Sequence, residues 1–215
     1  MYVFAGLGNP GAGYAKNRHN IGYLVADEIA RRHGFEKFRS RSRLSADIAE
    51  GRIGEARVAL LKPTTFMNES GRALGAVLRY YKLEPEQLFV FHDELDLAPG
   101  KLRVRLGGGS AGHNGMKSVS AYIGADYWRV RMGIGHPGDK DLVTDYVLSD
   151  FSKAESPWVE KLVVAAADAA PLLLEGEKNE FMTRVALLAP PPPRPRPQNK
   201  KTEIEENQEE PEDGI

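Results

Sequence analysis

The residues best suited to chemistry lie in three short runs. In the first, Gly6-Leu7-Gly8-Asn9-Pro10-Gly11 leads into Tyr14, Asn17, Arg18, His19 and Asn20, a polar cluster at the end of a strand-like stretch. In the second, Phe91-His92-Asp93-Glu94-Leu95-Asp96 closes an apolar run with three carboxylates and an imidazole. The third is a glycine loop, Gly107-Gly108-Gly109-Ser110-Ala111-Gly112, that opens a helix near His113-Asn114-Gly115. A free imidazole titrates near about 6.5, which suits proton transfer at neutral pH, and a carboxylate on its second nitrogen fixes its tautomer. Asp93 or a neighbour orienting a histidine from elsewhere in the chain is therefore the chemistry this set favours. His33, beside Gly34, suits a helix C-terminus and needs no function. His19, His92, His113 and His136 all sit at loop or strand ends, and periodicity does not choose among them.

Three sharper readings are disfavoured. The first glycine run matches a dinucleotide fingerprint, but Pro10 removes an N–H and the helical pattern begins only near Asn20. The acidic residue required about twenty positions on, at a strand end, is also missing. The second loop places His113-Asn114 where a P-loop carries Lys-Ser/Thr, which argues against nucleotide hydrolysis. A metal centre on His92, Asp93 and Asp96 meets the alternation of a strand, which turns adjacent side chains to opposite faces. Lys101, Arg103 and Arg105, with Arg129 and Arg131, alternate at strand spacing, so each set shares a face. That pattern fits a solvated sheet edge or a nucleic-acid grip.

The elements that must carry these residues are legible in outline. Residues 2–7, 57–61, 88–92, 102–106 and 128–134 read as strands, rich in β-branched and aromatic side chains and bounded by turn residues. Ile21, Leu24, Val25 and Ile29 share a helical face, as do Leu74, Val77, Leu78 and Tyr81, and residues 157–174 repeat at the same spacing. The alternation predicts one three-layer α/β domain, a mixed sheet flanked by helices, over residues 1–189. Half of the 14 prolines fall in the last 26 residues. That composition predicts a disordered proline-rich and acidic tail over 190–215. With seven acidic and four basic residues the tail carries −3, leaving the body near +2. That is too mild for nucleic-acid binding by overall charge, so any such site is a local patch. The absence of cysteine excludes disulfides, Cys-ligated metals and a cysteine nucleophile. The N-terminus has no basic and apolar signal pattern, and no apolar run reaches membrane length. The expectation is a soluble cytoplasmic protein.

Together the motifs resemble those of bacterial peptidyl-tRNA hydrolases. The matching runs are residues 6–11 with Tyr14 and Arg18-His19-Asn20, then Lys62-Pro63-Thr64-Thr65-Phe66-Met67-Asn68-Glu69-Ser70-Gly71. His92-Asp93-Glu94-Leu95-Asp96 follows, then residues 106–115, and last Arg129-Val130-Arg131-Met132-Gly133-Ile134-Gly135-His136-Pro137-Gly138. The likeness runs in order to about residue 188. It implies a monomeric, cofactor-free and metal-free enzyme that hydrolyses the ester between a peptide and the 3′ ribose of tRNA. It also implies recycling of tRNA from peptidyl-tRNA released early by ribosomes. Stalled large ribosomal subunits are a further candidate partner, on which the sequence is silent.

By the same resemblance, His19 falls on the catalytic base and Asp93 on the group that orients it. Asn9, Asn68 and Asn114 fall on substrate-binding asparagines, Tyr14 and Phe66 on further substrate contacts, and Arg105 and Arg131 on positions that grip tRNA. Water then attacks directly, with Asn114 or a backbone N–H of the nearby loop stabilising the oxyanion. Asn9 is expected to accept the N–H of the substrate's first peptide group, which a free ammonium could not replace without losing hydration. Two other classes compete: a non-catalytic RNA-binding protein of the same fold, and a metal-dependent phosphoesterase built on His92, Asp93 and Asp96.

Overall fold

The computed structural model describes residues 1–193. Four parallel strands form its centre: β4 (Ala56–Pro63), β1 (Tyr2–Gly6), β5 (Leu88–Glu94) and β7 (Trp128–Gly133). Antiparallel strands extend both sides, β3 (Ala46–Ile53) and β2 (Arg39–Arg41) beside β4, and β6 (Leu102–Leu106) beside β7. The seven strands run in the order β2-β3-β4-β1-β5-β7-β6. The central strands read as continuous apolar runs because helices bury both faces.

Helices α1 (Ile21–Arg32), α5 (Ser156–Leu174) and α6 (Lys178–Leu188) cover one face; α2 (Ser70–Tyr81) and α3 (Asn114–Ile123) cover the other. Helix α1 buries Ile21, Val25 and Ile29 along one stripe, and Phe4 beneath meets Phe89 and Phe91 edge-on at 5.1 and 5.6 Å. The two sides form separate apolar clusters, so the three-layer reading of the sequence agrees with the structure. Among the described residues, no helix is long and apolar enough to cross a membrane.

Several elements escaped the sequence reading. Strand β2 is Arg-Ser-Arg and wholly exposed, with no apolar face to show a period. Strand β3 carries Gly51, over which the Phe35 ring packs so closely that any side chain there would collide with it. Helix α4 (Val143–Val147) is too short to show a helical repeat. Of the expected tail, residues 194–215 lie outside the described residues. Ala189 is buried, and Pro191 and Pro192 lie against Gly100. The first residues beyond 189 thus lie along the body.

The order of the sheet reverses at β1, whose neighbours β4 and β5 follow it by opposite routes. Ligands in open α/β sheets bind in the crevice that such a reversal leaves at the carboxyl ends of the strands. Gly22 presses the first turn of α1 onto that crevice. A Cβ there would strike the Phe91 carbonyl oxygen and the Leu7 backbone, so only glycine lets the helix approach.

Candidate active site

That close approach brings His19 to Asp93. His19 lies in a 3-10 turn, Arg18–Asn20, immediately before α1, and Asp93 is the penultimate residue of β5. Both are buried. His19 Nδ1 is 2.9 Å from each Asp93 carboxylate oxygen. The turn is anchored from behind by Arg18, whose guanidinium donates to Ser149 Oγ at 2.7 Å and the Asp150 carbonyl at 2.6 Å. It also pairs with Glu155 at 2.7 Å.

A second imidazole meets the same carboxylate. His113 Nε2 is 2.9 Å from Asp93 Oδ1, while His113 Nδ1 accepts the backbone N–H groups of Gly115 (3.0 Å) and Met116 (3.3 Å) as the N-cap of α3. An atom accepting two N–H bonds has no proton of its own. His113 is thereby fixed as the neutral tautomer with its proton on Nε2, donating to Asp93. Asp93 consequently faces two N–H donors, and His19 directs its bare Nε2 away from the carboxylate. Burial alone would push Asp93 up. The two imidazoles override it and hold the carboxyl well below the usual carboxylate range.

Proton placement also decides what this cluster can ligate. Among the described residues, the group of side chains close enough to share a metal ion is His19, Asp93 and His113. Ligation through His113 Nε2 would move its proton to Nδ1, against two backbone N–H groups. The expected alternative set fails differently. His92 turns from Asp93, donates its Nδ1–H to the Asp93 carbonyl at 2.7 Å, and leaves Nε2 buried without a partner among the described residues. Burial, followed by the neighbouring His113, pushes His92 down to about 3. His92, Asp93 and Asp96 do not converge.

Around His19 opens a cleft of about 850 Å³. Of the nine residues singled out from the sequence, seven line it: Asn9, Tyr14, His19, Phe66, Asn68, Asp93 and Asn114. Asn9 is held twice through its backbone by the Asn20 side chain, at 3.0 and 2.9 Å. Its own Oδ1 accepts the Met67 N–H at 2.7 Å. One lone pair of that oxygen is thereby engaged; the second lone pair and the NH2 are what the Asn9 amide has left for the cleft it lines. Phe66 stands exposed with Tyr14 edge-on at 6.4 Å, an apolar corner beside Asn68. Asn114 opens α3 at the rim. The Gly115 and Met116 N–H groups, which could have served an oxyanion, are consumed by His113. The far wall is α4, through Val143, Thr144 and Val147, with Leu148 just after it, a helix that the sequence reading missed.

Arg105 and Arg131 lie outside the cleft, on the β6–β7 pair. Register sets Arg103 opposite Arg131 and Arg105 opposite Arg129, so all four arginines share one face. Their environments differ. Arg103 and Arg105 are exposed, Arg129 is buried, and Arg131 Nε pairs with the buried Glu94 carboxylate at 2.8 Å.

The chain matches the model of the family described as peptidyl-tRNA hydrolase over residues 3–193. It is 56% identical over 192 residues to the peptidyl-tRNA hydrolase of Dinoroseobacter shibae, covering 89% of this chain and 81% of that one. With the enzyme of Methylorubrum extorquens it shares 57% identity over 187 residues, covering 87% and 88% of the two chains. The crystal structure of peptidyl-tRNA hydrolase from Acinetobacter baumannii superposes with a TM-score of 0.83 at 34% identity, covering 88% of this chain and 96% of that one. With a family match across the whole described body and the same fold in a solved relative, this chain belongs to the peptidyl-tRNA hydrolase family.

Proposed function

We propose that this chain hydrolyses the ester joining a peptide, or an N-blocked amino acid, to the 3′ ribose of tRNA. The observation that carries the reading is the His19–Asp93–His113 array, which leaves one imidazole nitrogen bare at the wall of a cleft lined with amide donors. A water beside His19 Nε2 gives that nitrogen a proton as its oxygen attacks the ester carbonyl. Asp93 stabilises the imidazolium that forms. The Asn9 and Asn114 amide groups supply donors for the oxyanion. On collapse, the C–O bond to the ribose breaks and His19 returns its proton to the 3′ oxygen. The products are a peptide carboxylate and a tRNA with a free 3′ hydroxyl.

Tyr14, Phe66 and Asn68 contact the peptide end of the substrate, and Arg105 and Arg131 hold backbone phosphates. Residues 1–189 form the catalytic unit, acting as a monomer in the cytoplasm on peptidyl-tRNA lost early from ribosomes. The test is incubation with N-acetyl-aminoacyl-tRNA and release of the acetylated amino acid, beside a His19→Ala control. Loss of the base should slow turnover by about 10²–10⁴-fold with tRNA affinity kept. Absence of hydrolysis by the unmodified chain, or near-normal hydrolysis by the control, refutes the reading. Inhibition by chelators would return a metal-dependent phosphoesterase to consideration.

A further inference from the structure

Arg129 is a buried cation for which, among the described residues, no carboxylate partner exists. It is 3% exposed. One arm, Nη1, donates to the Gly109 carbonyl, and the other, Nη2, to Ser120 Oγ on α3 at 3.2 Å. The guanidinium lies over the Tyr127 ring at 4.7 Å, and Nε is buried without a partner. Burying a charge against neutral groups alone is unfavourable, so packing by itself does not account for an arginine here. What the fork holds is informative.

Gly109 is the midpoint of the glycine loop, whose residues Gly107, Gly108, Ala111 and Gly112 have φ of 68°, 105°, 45° and 80°. Positive φ costs the three glycines nothing, but at Ala111 it persists only where surrounding contacts impose it. The loop leaves β6 through the Gly107 N–H bond to the Tyr127 carbonyl, at 3.0 Å, and ends at His113. Between those ends, among the described residues, Arg129 holds it to the sheet by a side-chain hydrogen bond, while the Arg105 guanidinium lies against Gly108. Its second arm reaches the helix that the same loop opens. His113 and Asn114, at that junction, are the groups presented to Asp93 and to the cleft.

We propose that Arg129 is a positioning residue for the hydrolytic reaction. Its two-armed grip sets the glycine loop, and through it places His113 against Asp93 and Asn114 at the cleft. Arg129 itself touches no substrate. The inference rests on the proposed hydrolysis, and its test includes a readout independent of it.

The experiment is Arg129→Lys, which keeps the charge and the apolar stem but cannot hold Gly109 and Ser120 together. Three quantities are measured: kcat and KM on N-acetyl-aminoacyl-tRNA and on a short N-acyl ester lacking the tRNA body, the salt dependence of tRNA binding, and the proton resonance of His113 Nε2–H. Displacement of the loop should lower kcat on both substrates by roughly 10- to 10²-fold. KM and the salt slope should stay as in the unmodified enzyme, and the His113 resonance should broaden into exchange with water. Unchanged kcat and resonance, even with a lowered Tm, overturn the proposal by reducing Arg129 to a packing residue. A raised KM confined to full-length tRNA, with the salt slope flattened by about one unit, overturns it in favour of direct phosphate contact. If Arg129→Lys does not fold, Ser120→Ala removes one arm, together with the Ser120 Oγ bond to the Tyr127 hydroxyl at 3.0 Å. A smaller kcat loss with a broadened His113 resonance then supports the tether, and no change in either refutes it. If the unmodified protein shows no hydrolysis, the proposed function fails while the His113 resonance still tests the positioning.

Discussion

Replacing Asp93 by asparagine preserves the shape of the side chain while removing its charge and changing the hydrogen-bond directions it offers. In the native site Asp93 Oδ1 accepts from His113 Nε2 at 2.9 Å, and both carboxylate oxygens lie 2.9 Å from His19 Nδ1. His113 cannot reverse its polarity, because its Nδ1 already accepts from Gly115 and Met116. The new amide therefore keeps its oxygen in the Oδ1 position, facing His113, and sets its NH2 at the second position, where donation to His19 Nδ1 competes with acceptance of the Nδ1 proton by that same oxygen. Donation there drives the His19 proton to Nε2, the atom that must be bare to deprotonate water. The productive tautomer, with its Nδ1–H on the amide oxygen, sets that N–H against the NH2 2.9 Å away and leaves the NH2 without an acceptor. At about 1–3 kcal/mol for one stranded buried donor, the penalty is about 1–3 kcal/mol. This corresponds to roughly 5-fold to 150-fold in rate. Single-turnover cleavage of N-acetyl-aminoacyl-tRNA at neutral pH measures it. The sharper arm is Asp93→Asn combined with His113→Ala, which removes the locked donor and lets the amide oxygen face His19. The double variant should regain up to about tenfold over Asp93→Asn alone, a coupling that independent sites would not show. A single variant within about threefold of the native rate, or a double variant slower than the single, refutes the tautomer lock.

Three further outcomes are expected. Asn9→Asp keeps an acceptor for the Met67 N–H but has no donor for the substrate, so kcat should fall by about 10²–10³-fold; an unchanged kcat would show that the Asn9 NH2 has no part in the reaction. Arg105→Ala and Arg131→Ala should each flatten the salt slope of tRNA binding by about one unit. In urea unfolding only Arg131→Ala should lose stability, by about 1–3 kcal/mol, because it leaves the buried Glu94 carboxylate unpaired; equal stability of the two variants contradicts this. His92 is held neutral down to about 3, whereas it protonates near about 6.5 once unfolded. In the window between those values the unfolded state binds the extra proton, so His92 makes the fold lose stability by up to about 1.4 kcal/mol for each unit the pH falls. His92→Gln should flatten that acid limb in urea titrations, and an unaltered limb would place the acid sensitivity elsewhere.

The glycine and asparagine motifs, the central strands and the apolar helix faces were legible because each is a local property. A strand buried on both faces must be apolar along its length, as Phe4 and its neighbours in β1 are, and an amphipathic helix must repeat its apolar residues every turn, as Ile21, Val25 and Ile29 do. Strand β2 and helix α4 carry no such signature. One is exposed throughout, and the other is a single short turn whose apolar side chains face a cleft. The motif resemblance named seven residues that the fold then gathers around one cleft, although it could not say what each presents there.

That question was decided by partners distant in the chain. One lone pair of the Asn9 oxygen went to the Met67 N–H, 58 residues away, which fixes how the amide is turned. His113 became a locked donor to Asp93 because it caps a helix whose first free N–H groups reach its other nitrogen. The arginine pattern on β6 and β7 predicted a shared face within each set, and the register of the two strands puts both sets on the same face. Only packing separated Arg129, buried beneath the glycine loop, and Arg131, paired with Glu94, from the exposed Arg103 and Arg105. Periodicity in a sequence records which side of an element each residue occupies, since backbone geometry alone sets it. Which donor meets which acceptor, and hence where each proton rests, depends on how elements far apart in sequence are brought within about 3 Å, and that only the tertiary structure decides.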